Sequence, residues 1–352
     1  MKKLLICFCV CLFVSCHSKE NEISLIDDFS LNIPFAKDID DLFGKNVKSI
    51  QLDTTTEALV GGICKIIKHE SHFFILCEER RILHFDHDGK YISSLDKKGG
   101  GPGEYSRIDD FNLLTINGNT ELWICDVKRI RKYNLSGNSW HETGTIDFDF
   151  TIHKFKIISN KYILFLTGLN EPLLLTDITG EPLHSYPKKE IPYPIYFPIQ
   201  FVDYESFVVY KLGASNECIA LDTKDFSFKR IRIVDKVPFL SINDVLDMLD
   251  KFGFQYVLKL EETNWVRGFR FINGNIWIDY FYHGDLFAAV RQYGVWKRLK
   301  IDRENNRSLN SLMSTESKDS FIIYEYPEDD KLNLLLYEYI QQSFISCLLP
   351  DS

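Results

Sequence analysis

Phe74-Ile75-Leu76-Cys77-Glu78, followed by His84-Phe85-Asp86-His87-Asp88-Gly89, recurs 48 positions on as Leu122-Trp123-Ile124-Cys125-Asp126 followed by Lys132-Tyr133-Asn134-Leu135-Ser136-Gly137. The two stretches align without a gap, with Cys77 on Cys125, Phe85 on Tyr133 and Gly89 on Gly137. Each contains short apolar runs of strand length and strand composition. The common unit is strand, turn, strand, then a turn residue three positions before a glycine, where a hairpin needs a positive φ. Weaker copies follow at Thr176-Asp177-Ile178-Thr179-Gly180, Leu221-Asp222-Thr223-Lys224-Asp225 and Val290-Arg291-Gln292-Tyr293-Gly294. The last is Tyr337-Glu338-Tyr339, which lacks the glycine.

The reference positions of these copies are 86, 134, 177, 222, 291 and 338. Six units of about four strands each are the pattern of a β-propeller. One small twisted sheet cannot bury both faces alone, whereas a ring of them covers every face and protects the edges. The sequence therefore predicts an all-β fold, a six-bladed β-propeller with a short helical insertion between blades four and five. The insertion explains the long step from 222 to 291 and is placed at about 241–262. Ser241-Ile242-Asn243-Asp244 offers an N-cap. Ile242, Val245, Leu246, Leu249 and Phe252 then share one helical face, and Gly253 stops the helix. An alternating strand at about 47–53, Val47-Lys48-Ser49-Ile50-Gln51-Leu52-Asp53, is expected to pair with the final blade and close a ring spanning 46–345.

Composition agrees with packed strands. Of 352 residues, 45% are hydrophobic and 14% aromatic, with 27 Phe, 17 Tyr and 5 Trp against 3 Met. That is too apolar for a disordered chain. Fifty acidic residues against 41 basic ones argue against nucleic-acid binding, because nothing supplies phosphate-neutralising charge. The aromatic excess is expected to fill the gaps between neighbouring blades.

The N-terminus carries an address. Lys2 and Lys3 precede an apolar run from Leu4 to Val14, too short for a membrane span of roughly 20 residues and suited to a signal h-region. The run ends in Phe13-Val14-Ser15-Cys16, which resembles a bacterial lipobox, with Phe13 and Val14 departing from the usual residues. Residues 1–15 are then a lipoprotein signal peptide, Cys16 is the lipidated residue, and 16–45 form a lipidated N-terminus and spacer. Removal of 1–15 leaves 337 residues and moves the net charge from −9 to −11. The acidic body is expected to meet the membrane through its lipid anchor only. Five cysteines remain, Cys64, Cys77, Cys125, Cys218 and Cys347, an odd number that cannot all pair. Cys77 and Cys125 hold equivalent places in adjacent blades, too far apart for a disulfide, and are expected to be separate buried thiols.

The stretch Cys77 to Ile92, followed by Gly99-Gly100-Gly101-Pro102-Gly103-Glu104-Tyr105 and Arg107-Ile108-Asp109-Asp110-Phe111, resembles NHL-type repeats. More closely, it is similar to the six-bladed β-propeller lipoproteins of gram-negative anaerobes, a family mostly of unknown function. The likeness is sharp over 62–140 and diffuse to about 340. It implies a cell-envelope location, lipid-anchored and at the outer membrane.

No recognised catalytic motif is present: no G-x-S-x-G elbow, no H-E-x-x-H and no dinucleotide fingerprint. Gly99 to Gly103 lacks the Lys-Ser/Thr of a phosphate loop, and Pro102 removes a donor, so it reads as a sharp connector. The pairs His69/His72 and His84/His87 have i,i+3 spacing, which in strands and turns sends the rings to opposite faces. No metal and no cofactor are expected. The best polar cluster is Glu104, Tyr105, Arg107, Asp109 and Asp110, joined by His153, as candidate ligand-binding residues near one end of the channel. No catalytic residue is assigned. The proline-rich run from Tyr186 to Phe201 reads as a connector. The functional expectation is a monomeric binding or scaffold module for a protein or glycan partner. The alternative is a lyase or hydrolase acting on a carbohydrate or lactone at the channel mouth.

Overall fold

In the computed structural model, the described residues are 24–44, 47–169, 172–186, 201–260, 262–301, 314–325 and 332–338. Residues 1–23, with the signal segment and Cys16, lie outside them, as do most of the proline-rich run, Tyr339 and Cys347.

The strands form six sheets in a ring. Blade one is Ile63–His69, His72–Cys77, Ile82–Phe85 and Tyr91–Leu95; blade two is Asp110–Ile116, Asn119–Asp126, Arg129–Ser136 and Ser139–Asp147. Blade three is Ile152–Ile158, Tyr162–Thr167, Leu173–Asp177 and Pro182–Tyr186, and blade four is Phe201–Tyr204, Phe207–Lys211, Glu217–Asp222 and Phe228–Val234. Blade five is Trp265–Ile272, Asn275–Tyr282, Asp285–Gln292 and Val295–Lys300. Blade six is a three-stranded sheet of Ser320–Glu325 and Asn333–Glu338 from the C-terminal part and Val47–Gln51 from the N-terminal part; Thr315–Glu316 precedes it at the inner radius.

The repeated turn connects the third and fourth strands of blades one to five. Gly89 sits there with φ +83°, where a Cβ would come within 2.2 Å of the Gln51 carbonyl oxygen of the closing strand. Asp86 organises the same turn, its Oδ1 accepting from the backbone N–H of Asp88 and of Lys90 at 2.9 Å. The sixth copy lacks the glycine for a topological reason. Its third strand, Asn333–Glu338, finds its outer partner not across a hairpin but in Val47–Gln51, antiparallel, with Val47 opposite Tyr337 and Gln51 opposite Asn333. The short strand Thr315–Glu316, which leads into blade six, pairs in parallel with blade one, Thr315 opposite Ile66 and Glu316 opposite Ile67. The two ends of the ring are thus joined at its inner and outer radii.

Buried side chains group between blades. One cluster joins blades six and one through Ile50, Phe73, Phe85 and Leu336, and another joins one and two through Phe74, Tyr105, Phe111, Tyr133 and Trp140. Trp123, Phe155 and Phe165 fill the gap between two and three, and Phe201 and Leu221 that between three and four. The largest cluster spans blades four to six and includes Trp265, Trp277 and Tyr280. Cys64, Cys77, Cys125 and Cys218 are free thiols.

The insertion is a helix at Ile242–Phe252 followed by a short turn and Tyr256–Leu260. Ser241 caps it through a capping box with Asp244, and Gly253 ends it. Ile242, Val245, Tyr256 and Leu260 are buried against the ring, whereas Phe252 is partly exposed. The stretch read as spacer differs from its expectation over 24–44. Ser24–Ile26 adds in parallel to the outer strand of blade four, and Phe43 packs on Tyr337 of blade six with ring centroids 4.9 Å apart. Leu25, Ile26, Phe29, Leu42 and Phe43 are buried. These few apolar residues, dispersed among polar ones, are enough to strap the segment across the ring without forming a continuous pattern.

Candidate functional site

The first strand of every blade faces the central channel. Their C-terminal ends and the following turns enclose a cavity of about 780 Å³, lined in turn by His69, Thr115, Lys156, Asp203, Arg270 and Glu316, one from each blade. Sequence alternation explains the inward charges. In Cys64-Lys65-Ile66, Phe155-Lys156-Ile157 and Phe269-Arg270-Phe271 a basic residue alternates with apolar neighbours that face other surfaces of the blade.

The floor of the cavity is a ring of alternating charge. Blades one, three and five supply cations (Lys65; Lys154 and Lys156; Arg270), and blades two, four and six supply the carboxylates of Asp110, Asp203 and Glu316. Lys65 Nζ lies 2.9 Å from Asp110 and 3.2 Å from Glu316, and also donates to the Phe111 carbonyl at 2.9 Å. Asp110, 1% exposed, accepts a second bond from the Phe155 N–H at 3.1 Å and has Lys154 at 3.9 Å. Lys156 pairs with Asp203 at 2.9 Å and reaches Glu316 at 3.8 Å. Blades three and six are opposite members of the ring, so the Lys156–Glu316 contact crosses the axis and obstructs the channel. Arg270 donates to the carbonyls of Phe201 at 3.2 Å and Thr315 at 3.0 Å, tying blade five to blades four and six.

Electrostatics follow from this arrangement. Burial alone would raise the Glu316 carboxyl, yet Lys65, Lys156 and Arg270 hold it at about 2. Burial likewise opposes the Lys156 ammonium, but Asp203 and Glu316 outweigh it and raise its pKa above the ordinary lysine value. Both groups are ionised at neutral pH. Near the rim, His69 Nε2 is 2.7 Å from Thr115 Oγ1, and Lys68 bonds Asp319 at 2.6 Å.

Of the residues singled out in the sequence, Asp110 joins this floor. Glu104, Tyr105, Arg107 and Asp109 lie in the connection entering blade two, at the opposite end of the innermost strands from the cavity. Glu104 folds back to accept from the Gly101 N–H at 2.8 Å, and its carboxylate oxygen occupies the space that a Cβ on Gly99 would need. Tyr105 is fully buried, donates to the Leu95 carbonyl at 3.3 Å and is pushed up to about 12 by that burial. Arg107 pairs with Asp109 at 2.6 Å on the surface. His153 is half-buried, its Nε2 near the Gly168 loop at that same end. Lys65, Lys156, Asp203, Arg270 and Glu316 are the members that sequence reading missed. Their signal is a charge flanked by apolar residues in the inner strands of blades one, three and five.

His69 and His72 are cross-strand partners in one hairpin, so their side chains share a face rather than taking opposite ones as the spacing suggested, yet they bond to different groups. His69 turns to Thr115, while His72 Nδ1 meets His84 Nε2 at 2.9 Å. Among the described residues, no group of three or more His, Cys, Asp or Glu could hold a metal, and no helix is long and apolar enough to cross a membrane.

A family model described as "Domain of unknown function (DUF4934)" matches residues 36–348. The chain belongs to this family. Its matched span contains all six blades and the charged floor. In three dimensions the chain is similar to a Bacteroides fragilis protein described as exported, with a TM-score of 0.62 and 13% identity over 86% of this chain and 98% of that one. It is also similar to a Bacteroides vulgatus member of the DUF4221 family, with a TM-score of 0.57 and 12% identity over 82% and 95%. At these identities the likeness concerns the propeller fold alone. No curated protein matches the chain in sequence.

Proposed function

We propose that this DUF4934 member is a lipid-anchored protein of the cell envelope, held through Cys16, whose propeller is a binding module. The observation that carries the binding role is the cavity: about 780 Å³, floored by the Lys156–Glu316 contact and walled by side chains from all six blades. A floored concavity of this size suits a few sugar rings better than the flat face of a protein partner. Asn112, Thr115, Ser159 and Asn160 supply amide and hydroxyl groups along the wall, the chemistry that sugar hydroxyls pair with. The floor's carboxylates are engaged with cations, which favours binding over acid–base chemistry. The lipobox-like Phe13-Val14-Ser15-Cys16 supports the anchor, and the exported description of the B. fragilis protein fits export of this chain.

Two measurements test this reading. Cys16→Ser is expected to release the protein from the membrane fraction of expressing cells, and retention there would refute lipid anchoring. Envelope-derived oligosaccharides are expected to raise the melting temperature of the detergent-solubilised chain. Thr115→Trp, which fills the mouth of the cavity, should abolish that rise, and a rise unaffected by it would place the ligand elsewhere.

A further inference from the structure

The rim of the cavity adds Lys68 and Lys318 against Glu70, Glu205 and Asp319, so the charges balance in number, but those of the floor are not all directly paired. Four cations, Lys65, Lys154, Lys156 and Arg270, meet three carboxylates, Asp110, Asp203 and Glu316. The carboxylates contact the lysines at 2.9 to 3.9 Å, and among the described residues none comes within ion-pair distance of Arg270. Arg270 is 8% exposed, has only carbonyl oxygens as hydrogen-bond partners, and its Nε has none. Glu316 and Asp203 act on its charge only from beyond ion-pair distance, so the buried guanidinium lacks a direct carboxylate partner. It lines the cavity beside Lys156.

We propose that the cavity floor receives one anionic group, the carboxylate of an acidic sugar, with Arg270 as its anchor and Lys156 as the second cation. The proposal rests on the glycan-binding reading above and names the ligand class. A guanidinium offers a planar fork matched to a carboxylate, and burial strengthens such charge-assisted bonds. The incoming carboxylate gives Arg270 the direct partner that the floor's own carboxylates, held by lysines, do not supply. Neutral sugars of the same shape leave Arg270 as it was and gain only the wall contacts.

The test uses the detergent-solubilised full chain, titrated calorimetrically with sodium glucuronate, glucose and inorganic phosphate at constant ionic strength. Glucuronate is expected to bind saturably, and glucose at least about tenfold more weakly, the scale of one charge-assisted hydrogen bond. Arg270→Gln should weaken glucuronate by a similar factor and leave glucose unchanged. Arg129→Gln, in the third strand of blade two and outside the cavity lining, should change neither. Equal affinity for glucose and glucuronate, both abolished by Thr115→Trp, would keep the glycan cavity and overturn the acidic anchor. Phosphate binding without glucuronate binding would overturn the carboxylate assignment. Glucuronate binding that survives Arg270→Gln would overturn the role of Arg270. No saturable binding of any of the three would overturn the proposal, and the envelope oligosaccharides would then decide the broader reading separately.

Discussion

Replacing Asp110 by alanine should cost about 3 kcal/mol of stability, and the figure follows from its partners. The carboxylate holds Lys65 at 2.9 Å and the Phe155 N–H at 3.1 Å, with Lys154 at 3.9 Å. Breaking a buried ion pair by removing one partner costs roughly 3–5 kcal/mol. The lower end applies because Lys65 keeps Glu316 at 3.2 Å and the Phe111 carbonyl at 2.9 Å. Within that loss, the orphaned Phe155 N–H accounts for about 1–3 kcal/mol. Asp110→Asn keeps an acceptor for that N–H and should cost about half as much. The assay is urea unfolding at pH 7 followed by tryptophan fluorescence, with the slope against denaturant unchanged between variants. Combining Asp110→Ala with Lys65→Met should give a loss smaller than the sum of the two single losses. A loss below about 0.5 kcal/mol for Asp110→Ala, or strict additivity in the double variant, would refute the account of Asp110 as the link between blades one, two and three.

Other consequences are open to direct measurement. Glu316, held at about 2 against an ordinary 4.5, contributes stability that is complete above pH 5 and lost as pH falls toward 2. The contribution is on the order of 3 kcal/mol, and Glu316→Gln should flatten melting temperature against pH across that window. His84, buried and stacked on Phe74, is depressed to about 4 from 6.5, so the stability tied to its neutral ring is present above pH 6.5 and lost as pH falls through 4. A ring-proton NMR titration with a midpoint near 6.5 would contradict that burial. Gly89→Ala should cost more than about 1 kcal/mol by urea unfolding, since it adds strain at positive φ to a collision with the Gln51 carbonyl; a neutral effect would contradict the turn's fit to the closing strand. Among the described cysteines, peptide mapping after brief alkylation of the native protein should find Cys64 modified first, because Cys77, Cys125 and Cys218 are fully buried; earlier labelling of Cys125 would contradict this order.

The ring was legible because its signals are local. A glycine three residues after Asp86 and an aromatic before it occur within a single hairpin, and the hairpin repeats. The helical insertion was legible for the same reason, since Ser241, Asp244 and Gly253 mark both ends within one segment. The packing of residues 24–44 was not, because Leu25, Phe29 and Phe43 gain meaning only from blades four to six, which come some 200 residues later.

The site lies at the extreme of this contrast. Lys65, Asp110, Lys156, Asp203, Arg270 and Glu316 carry no shared motif in the sequence, and each comes from a different part of the ring. Asp110 was noticed beside Asp109 and Arg107, yet its buried partners are Lys65 and Phe155, 45 residues away on either side. Because the sign of the charge alternates from blade to blade, the ion pairs of the floor all cross from one blade to another. Pairing therefore requires that the blades be assembled, so ring closure and construction of the floor are one event. The odd cation, Arg270, has the same origin. Blade three contributes two lysines where its neighbours contribute one carboxylate each, and the carboxylates are drawn to the lysines. The guanidinium of blade five is left with the Phe201 and Thr315 carbonyls as its hydrogen-bond partners.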